Sequence, residues 1–139
     1  MIATLARAWF APRGPFFDCV PALLYLAALF AFGLMPLKSL PGPDFALADK
    51  VWHLLAFAGL AALLSRFALH FRRSPLEAAR LGALLSGAMG GALELLQSLT
   101  RYRAAELADL VADGLGAWLS YLALRALASV QARASEEPR

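Results

Sequence analysis

Four stretches of the chain are almost wholly apolar, and polar residues gather at their ends and in the short links between them. The first stretch, residues 19–37, has no charge and is flanked by Asp18 and Lys38. A helix needs about 20 apolar residues to cross ~30 Å of hydrocarbon, so this run suffices. It lies too far from Met1, and lacks the small-residue cleavage pattern, to read as a secretory leader. Pro21 is placed in its first turn, and Pro36 stops it. The second stretch spans residues 49–71, with Arg66 near its end snorkelling to the interface. The third spans 76–99 and carries Glu94 and Gln97. The fourth spans 107–130 and opens with Asp109 and Asp113.

The links are short and built from turn residues. Residues 38–48 hold Pro41, Gly42 and Pro43; residues 72–75 hold two arginines, Ser74 and Pro75. Short links make consecutive helices antiparallel neighbours. The pattern predicts an all-α, four-transmembrane-helix antiparallel bundle, folded as one domain over residues 1–139. Residues 1–14 read as a short interfacial helix, and the tail after 130 as frayed.

Composition strengthens this picture. Hydrophobic residues make up 60% of the chain and charged ones 17%. Mean hydropathy is +0.62. Soluble domains run at roughly 45–50% apolar and about 25% charged. Disorder, a nucleic-acid arm and a disulfide scaffold are therefore poor fits. The lone Cys19 is a packing residue. The net charge of +3 matters for orientation instead. If all four stretches span, one side holds Arg7, Arg13, Arg66, Arg72, Arg73, Arg80, Arg125, Arg133 and Arg139. The other holds only Lys38, Lys50, Arg101 and Arg103. Positive charge marks the cytoplasmic side, so both termini are expected in the cytoplasm.

That topology sends several polar residues to the outer end of the bundle. Asp49, Lys50 and His53 begin the second helix, with Asp49 and His53 at i, i+4 on one face. Glu94 and Gln97 end the third, Arg103 lies in the outer link, and Asp109 and Asp113 begin the fourth. Asp109, Asp113, Gly116 and Ser120 form one stripe. Ala83, Gly87 and Gly91, with Gly82, Ser86 and Gly90 beside them, form another on the third helix. Small faces let helices approach closely in lipid, so the third and fourth helices should pair and bring Glu94 near Asp113. An ionisable group facing acyl chains costs about 2.5–3.5 kcal/mol on insertion scales, so these residues should turn inward and meet.

The same residues resemble a family signature. Asp49-Lys50 followed by His53 and Phe57, then Glu94-x-x-Gln97 followed by Arg103, Asp109 and Gly116, is similar to the VanZ-like family of small bacterial membrane proteins. Asp113 stands where that family usually has Asn, and Ser120 where it commonly has Gly. The resemblance implies a multi-pass protein of the bacterial inner membrane with a role in the cell envelope. The family's namesake is linked to low-level resistance to the glycopeptide teicoplanin.

Two functional classes follow. In the first, the cluster binds the headgroup of a membrane lipid or lipid-linked envelope precursor: Lys50 and Arg103 meet phosphate, while Asp49, Gln97, Asp113 and the other acids meet hydroxyls or amines. In the second, the chain is an intramembrane enzyme with His53, Glu94 and Asp109 as acid–base groups. Each residue also has a plain structural role open to it. Asp49 suits a helix cap, Glu94 a salt bridge to Arg103, and Gln97 a hydrogen bond between helices. A divalent ion on His53, Glu94, Asp109 and Asp113 is disfavoured, because Lys50 and Arg103 would repel it. No metal, cofactor or nucleic-acid partner is expected. Proton transport ranks lower still, for want of a polar relay in the inner half.

Overall fold

A computed structural model of the chain describes residues 1–11, 13–35, 48–71, 73–101 and 106–136. These form five helices: α1 (Ile2–Phe10), α2 (Pro15–Gly33), α3 (Ala48–Leu69), α4 (Pro75–Ser98) and α5 (Leu107–Glu136). The architecture is an all-α bundle. By length and composition α2, α3 and α5 are each able to cross a membrane. The chain is accordingly a multi-pass membrane protein in its design, with many large apolar side chains left on its surface, such as Leu84, Leu95, Leu107 and Trp118.

Local chemistry sets several boundaries. At the start of α4, Ser74 Oγ accepts from the Glu77 amide, and the Ser74 amide donates back to Glu77 Oε2 at 2.9 Å. That capping box satisfies donors the first turn would leave free, and Pro75 sits where no donor is needed. Helix α2 starts at Pro15, four residues before the apolar run. Asp18 therefore belongs to its first turn, and Pro21 lies inside the helix rather than at its start. The helix ends at Gly33, short of the expected end at residue 37, with Leu34 as its C-cap donating to the Phe30 carbonyl; Pro36, the expected stop, lies outside the described residues. Helix α5 continues to Glu136, six residues past the expected boundary. Alanines and Arg133 carry the helix on, since neither breaks it.

Helix α3 is the centre of the bundle, packed on both α4 and α5. Ser86 of α4 donates to the Phe57 carbonyl of α3 at 2.8 Å, while Gly82, one turn earlier on α4, abuts Ser65 and Ala61, later on α3. The two helices are thus antiparallel. Gly116 of α5 abuts the Leu54 carbonyl, and His53 meets Asp113, so α3 and α5 run parallel. The expected small-face pairing of α4 with α5 is seen at Gly90, which abuts Asp113. Gly82 and Gly116 instead serve α3, and Gly87 meets nothing.

Helix α2 is tied to this core at both ends and the middle. Tyr25 donates to the Ala56 carbonyl at 3.0 Å, and Gln97 Nε2 to the Gly33 carbonyl at 2.8 Å. One apolar core gathers around Phe57, Leu60 and Leu93. A second lies around Phe10, Ala79 and Leu124, and holds α1 against the bundle.

Candidate functional site

Because α3 and α5 are parallel, their first turns lie side by side, and the last turns of α4 close against them. Lys50, on the first turn of α3, places its ammonium among three carboxylates: Asp49, Glu106 at 2.7 Å and Asp109 at 3.1 Å. His53, one turn deeper, turns Nδ1 to Asp113 Oδ1 at 2.8 Å, and its Nε2 lies 3.9 Å from Asp109 Oδ2. An ionised Asp113 is an acceptor only, so Nδ1–H donates. The ring stacks over Phe57, one turn further along α3, with centroids 6.3 Å apart. Glu94 arrives from α4 and accepts from the Glu106 amide at 3.0 Å through Oε2. That bond also satisfies a donor at the start of α5.

Burial is graded from rim to floor. Glu106 and Asp49 are the exposed rim, with side chains 55% and 39% accessible. Lys50 is partly covered, and Glu94, Asp109 and Asp113 are buried, Asp113 completely. The site is therefore a column of acids, an acid funnel, whose burial deepens from one end of the bundle inward. At its base, Glu94 Oε1 and Asp113 Oδ2 are buried and accept no hydrogen bond. A buried acceptor without a donor is costly, so such atoms mark a place where something else belongs.

Of the residues singled out in the sequence, Asp49, Lys50, His53, Glu94, Asp109 and Asp113 are brought together. Gln97 points elsewhere: buried, it bonds the backbone of α2. Arg103 lies outside the described residues, as does any salt bridge it makes to Glu94. Glu106 was not singled out, yet it touches both Lys50 and Glu94. Its place just before the fourth apolar run was the available signal, since an acid there favours a helix start.

A second polar cluster lies at the opposite end. Arg66 is 5% exposed and does not reach for the interface. Its guanidinium pairs with Asp18 Oδ1 at 2.7 Å, donates to the Trp9 and Ala11 carbonyls, and lies over the Trp9 ring. Asp18 also takes bonds from His70 Nε2 at 2.9 Å and from the Arg13 amide. The snorkelling expectation fails because Asp18, carried inward by the early start of α2, offers Arg66 a buried partner. Arg66 and His70 stand at i, i+4, the spacing that linked Asp49 to His53.

The chain matches no known protein family, no curated protein and no solved structure, so the role of the acid funnel must be argued from its own chemistry.

Proposed function

We propose that the chain is a VanZ-like protein with four spans in the bacterial inner membrane, its termini cytoplasmic, and that the acid funnel binds a polar headgroup at the outer face. The headgroup belongs to a membrane lipid or a lipid-linked cell-wall or polysaccharide precursor. The observation that carries this reading is the convergence of polar side chains from α3, α4 and α5 at one end, graded from an exposed rim to a buried floor. Lys50 is matched by three carboxylates. With Lys50 so engaged, the carboxylates deeper in the funnel, Glu94 and Asp113, are the groups left to meet a ligand, which favours the hydroxyls and amines of a sugar or amino-acid headgroup. Any part in glycopeptide resistance rests on the family resemblance.

Native mass spectrometry of the protein extracted with its lipids tests the reading. The wild-type chain is expected to retain a discrete lipid, and a Glu94→Ala variant to lose it. Equal retention of bulk phospholipid by both would overturn headgroup binding.

One observation favours an enzyme as the second reading. The Asp113 carboxylate orients the His53 ring and leaves Nε2 pointing towards Asp109, an arrangement suited to a general base. With a candidate lipid substrate, His53→Gln would then abolish turnover while lipid retention persists. Turnover unchanged in that variant would remove His53 from the chemistry.

A further inference from the structure

We propose that the floor of the funnel is a binding site for one divalent transition-metal cation, of the zinc or manganese type, held by His53, Glu94 and Asp113. These three residues come from three helices, and one donor atom of each lies within 4.8 Å of the others. Adjustments of about 1 Å would bring those donors to the ~2.0–2.2 Å bonds of such a centre. One imidazole with two carboxylates is a donor set that suits borderline and hard divalent ions.

Two features distinguish this triad from a chance gathering of acids. The first is unpaired acceptors: Glu94 Oε1 and Asp113 Oδ2 lack hydrogen-bond donors in residues only 6% and 0% exposed, whereas Asp109 Oδ1, also without a hydrogen bond, has the Lys50 ammonium 3.1 Å away. A cation held between the two carboxylates would supply the partner that each lacks. The second is the contrast with the neighbouring triad of Asp49, Glu106 and Asp109, which is equally close-set. There the Lys50 ammonium already occupies the middle. Among the described residues no side-chain cation does the same for Glu94 and Asp113 except His53 itself.

Charge points the same way. Among the described residues, the cluster itself joins five carboxylates with one lysine and one histidine. A divalent ion offsets the excess in a place where water is scarce and charge is costly. The repulsion expected from Lys50 is blunted, because its ammonium is matched by three carboxylates nearer the rim. Three protein donors also leave coordination positions open, as in centres that bind or activate a ligand. The site is independent of the headgroup reading, since a metal held without a lipid, or a lipid without a metal, separates the two.

The test uses the full chain in detergent, washed with chelator and then dialysed against Zn²⁺ or Mn²⁺ alone. Elemental analysis is expected to find one ion per chain. Glu94→Gln and Asp113→Asn are expected to weaken binding by about 10–100-fold or more, since even the groups supporting metal ligands have effects of that size. Glu77→Gln, at the far end of α4, should bind as the wild type does. In the Mn²⁺-loaded wild type, pulsed electron spin resonance should show nitrogen modulation from one imidazole, lost in His53→Gln. The wild-type signal tests the idea even if a variant fails to fold. Absence of stoichiometric metal in the wild type, or wild-type affinity in folded Glu94→Gln and Asp113→Asn, would overturn the proposal.

Discussion

At the scale of single residues, the bundle depends on pairs of ionisable groups that only the fold brings together. The Asp18–Arg66 pair is the clearest. Both partners are buried, and the guanidinium also joins α1 to α3 through the Trp9 and Ala11 carbonyls. Removing one partner of a buried pair typically costs about 3–5 kcal/mol, because the other charge is left without compensation. Arg66→Ala should therefore lower thermal stability in detergent sharply. Asp18→Ala combined with Arg66→Ala should be milder than Arg66→Ala alone, and a double-mutant cycle reads the coupling directly. An additive result would mean that the two side chains do not interact. In the sequence, Asp49, His53, Glu94, Asp109 and Asp113 were legible as one cluster, because i, i+4 spacing and the alternation of antiparallel helices place them at one end. Arg66 and His70 have the same spacing, but they were not joined to Asp18. The missing fact was local: Pro15 starts α2 early enough to make Asp18 a helical residue with an inward face.

Among elements, glycine decides how closely α3 is gripped. A Cβ on Gly116 would lie 2.1 Å from the Leu54 carbonyl oxygen, a backbone atom that cannot swing away. Gly87, on the open side of α4, has no neighbour to obstruct. Gly116→Ala should force α3 and α5 apart and destabilise the bundle by about 1–3 kcal/mol, the usual penalty of overpacking. Gly87→Ala should fall within about 0.5 kcal/mol of the parent, as for substitutions away from contacts. Comparing their unfolding midpoints in one detergent checks the pair, and equal midpoints would refute the close α3–α5 approach. His53 and Asp113 lie within a turn of this contact, so Gly116→Ala should also loosen the funnel. The two small-residue stripes on α4 were visible in the sequence, but which one is buried was not. Periodicity gives the faces of a helix, whereas the partner of each face depends on how neighbouring helices close around it. Here Ser86 and Gly82 face α3, and Gly87 faces outward.

For the whole molecule, the direction of each helix bears on how the chain lies in a membrane. Helices α3 and α5 run parallel, and α4, which joins them in sequence, runs back between their ends. If α3 and α5 cross in the same sense, α4 must cross in the opposite one. Its 24 residues reach about 36 Å at 1.5 Å each, enough for the hydrocarbon core. Its polar residues do not oppose this, because Glu77 and Arg80 lie at one end and Glu94 is sheltered against α5. On the proposed topology, four crossings would put both termini on one side, and the nine arginines assigned to that side would make it cytoplasmic. Arg66 contributes to that count from inside an ion pair, but without it the imbalance keeps its direction. A fluorescent protein fused after Arg139 should glow in cells, since the fusion folds in the cytoplasm, while alkaline phosphatase at the same place should be inactive. A phosphatase fusion between α4 and α5 should be active. The reverse pattern would turn the acid funnel towards the cytoplasm, and a ligand from the outer leaflet could no longer reach it.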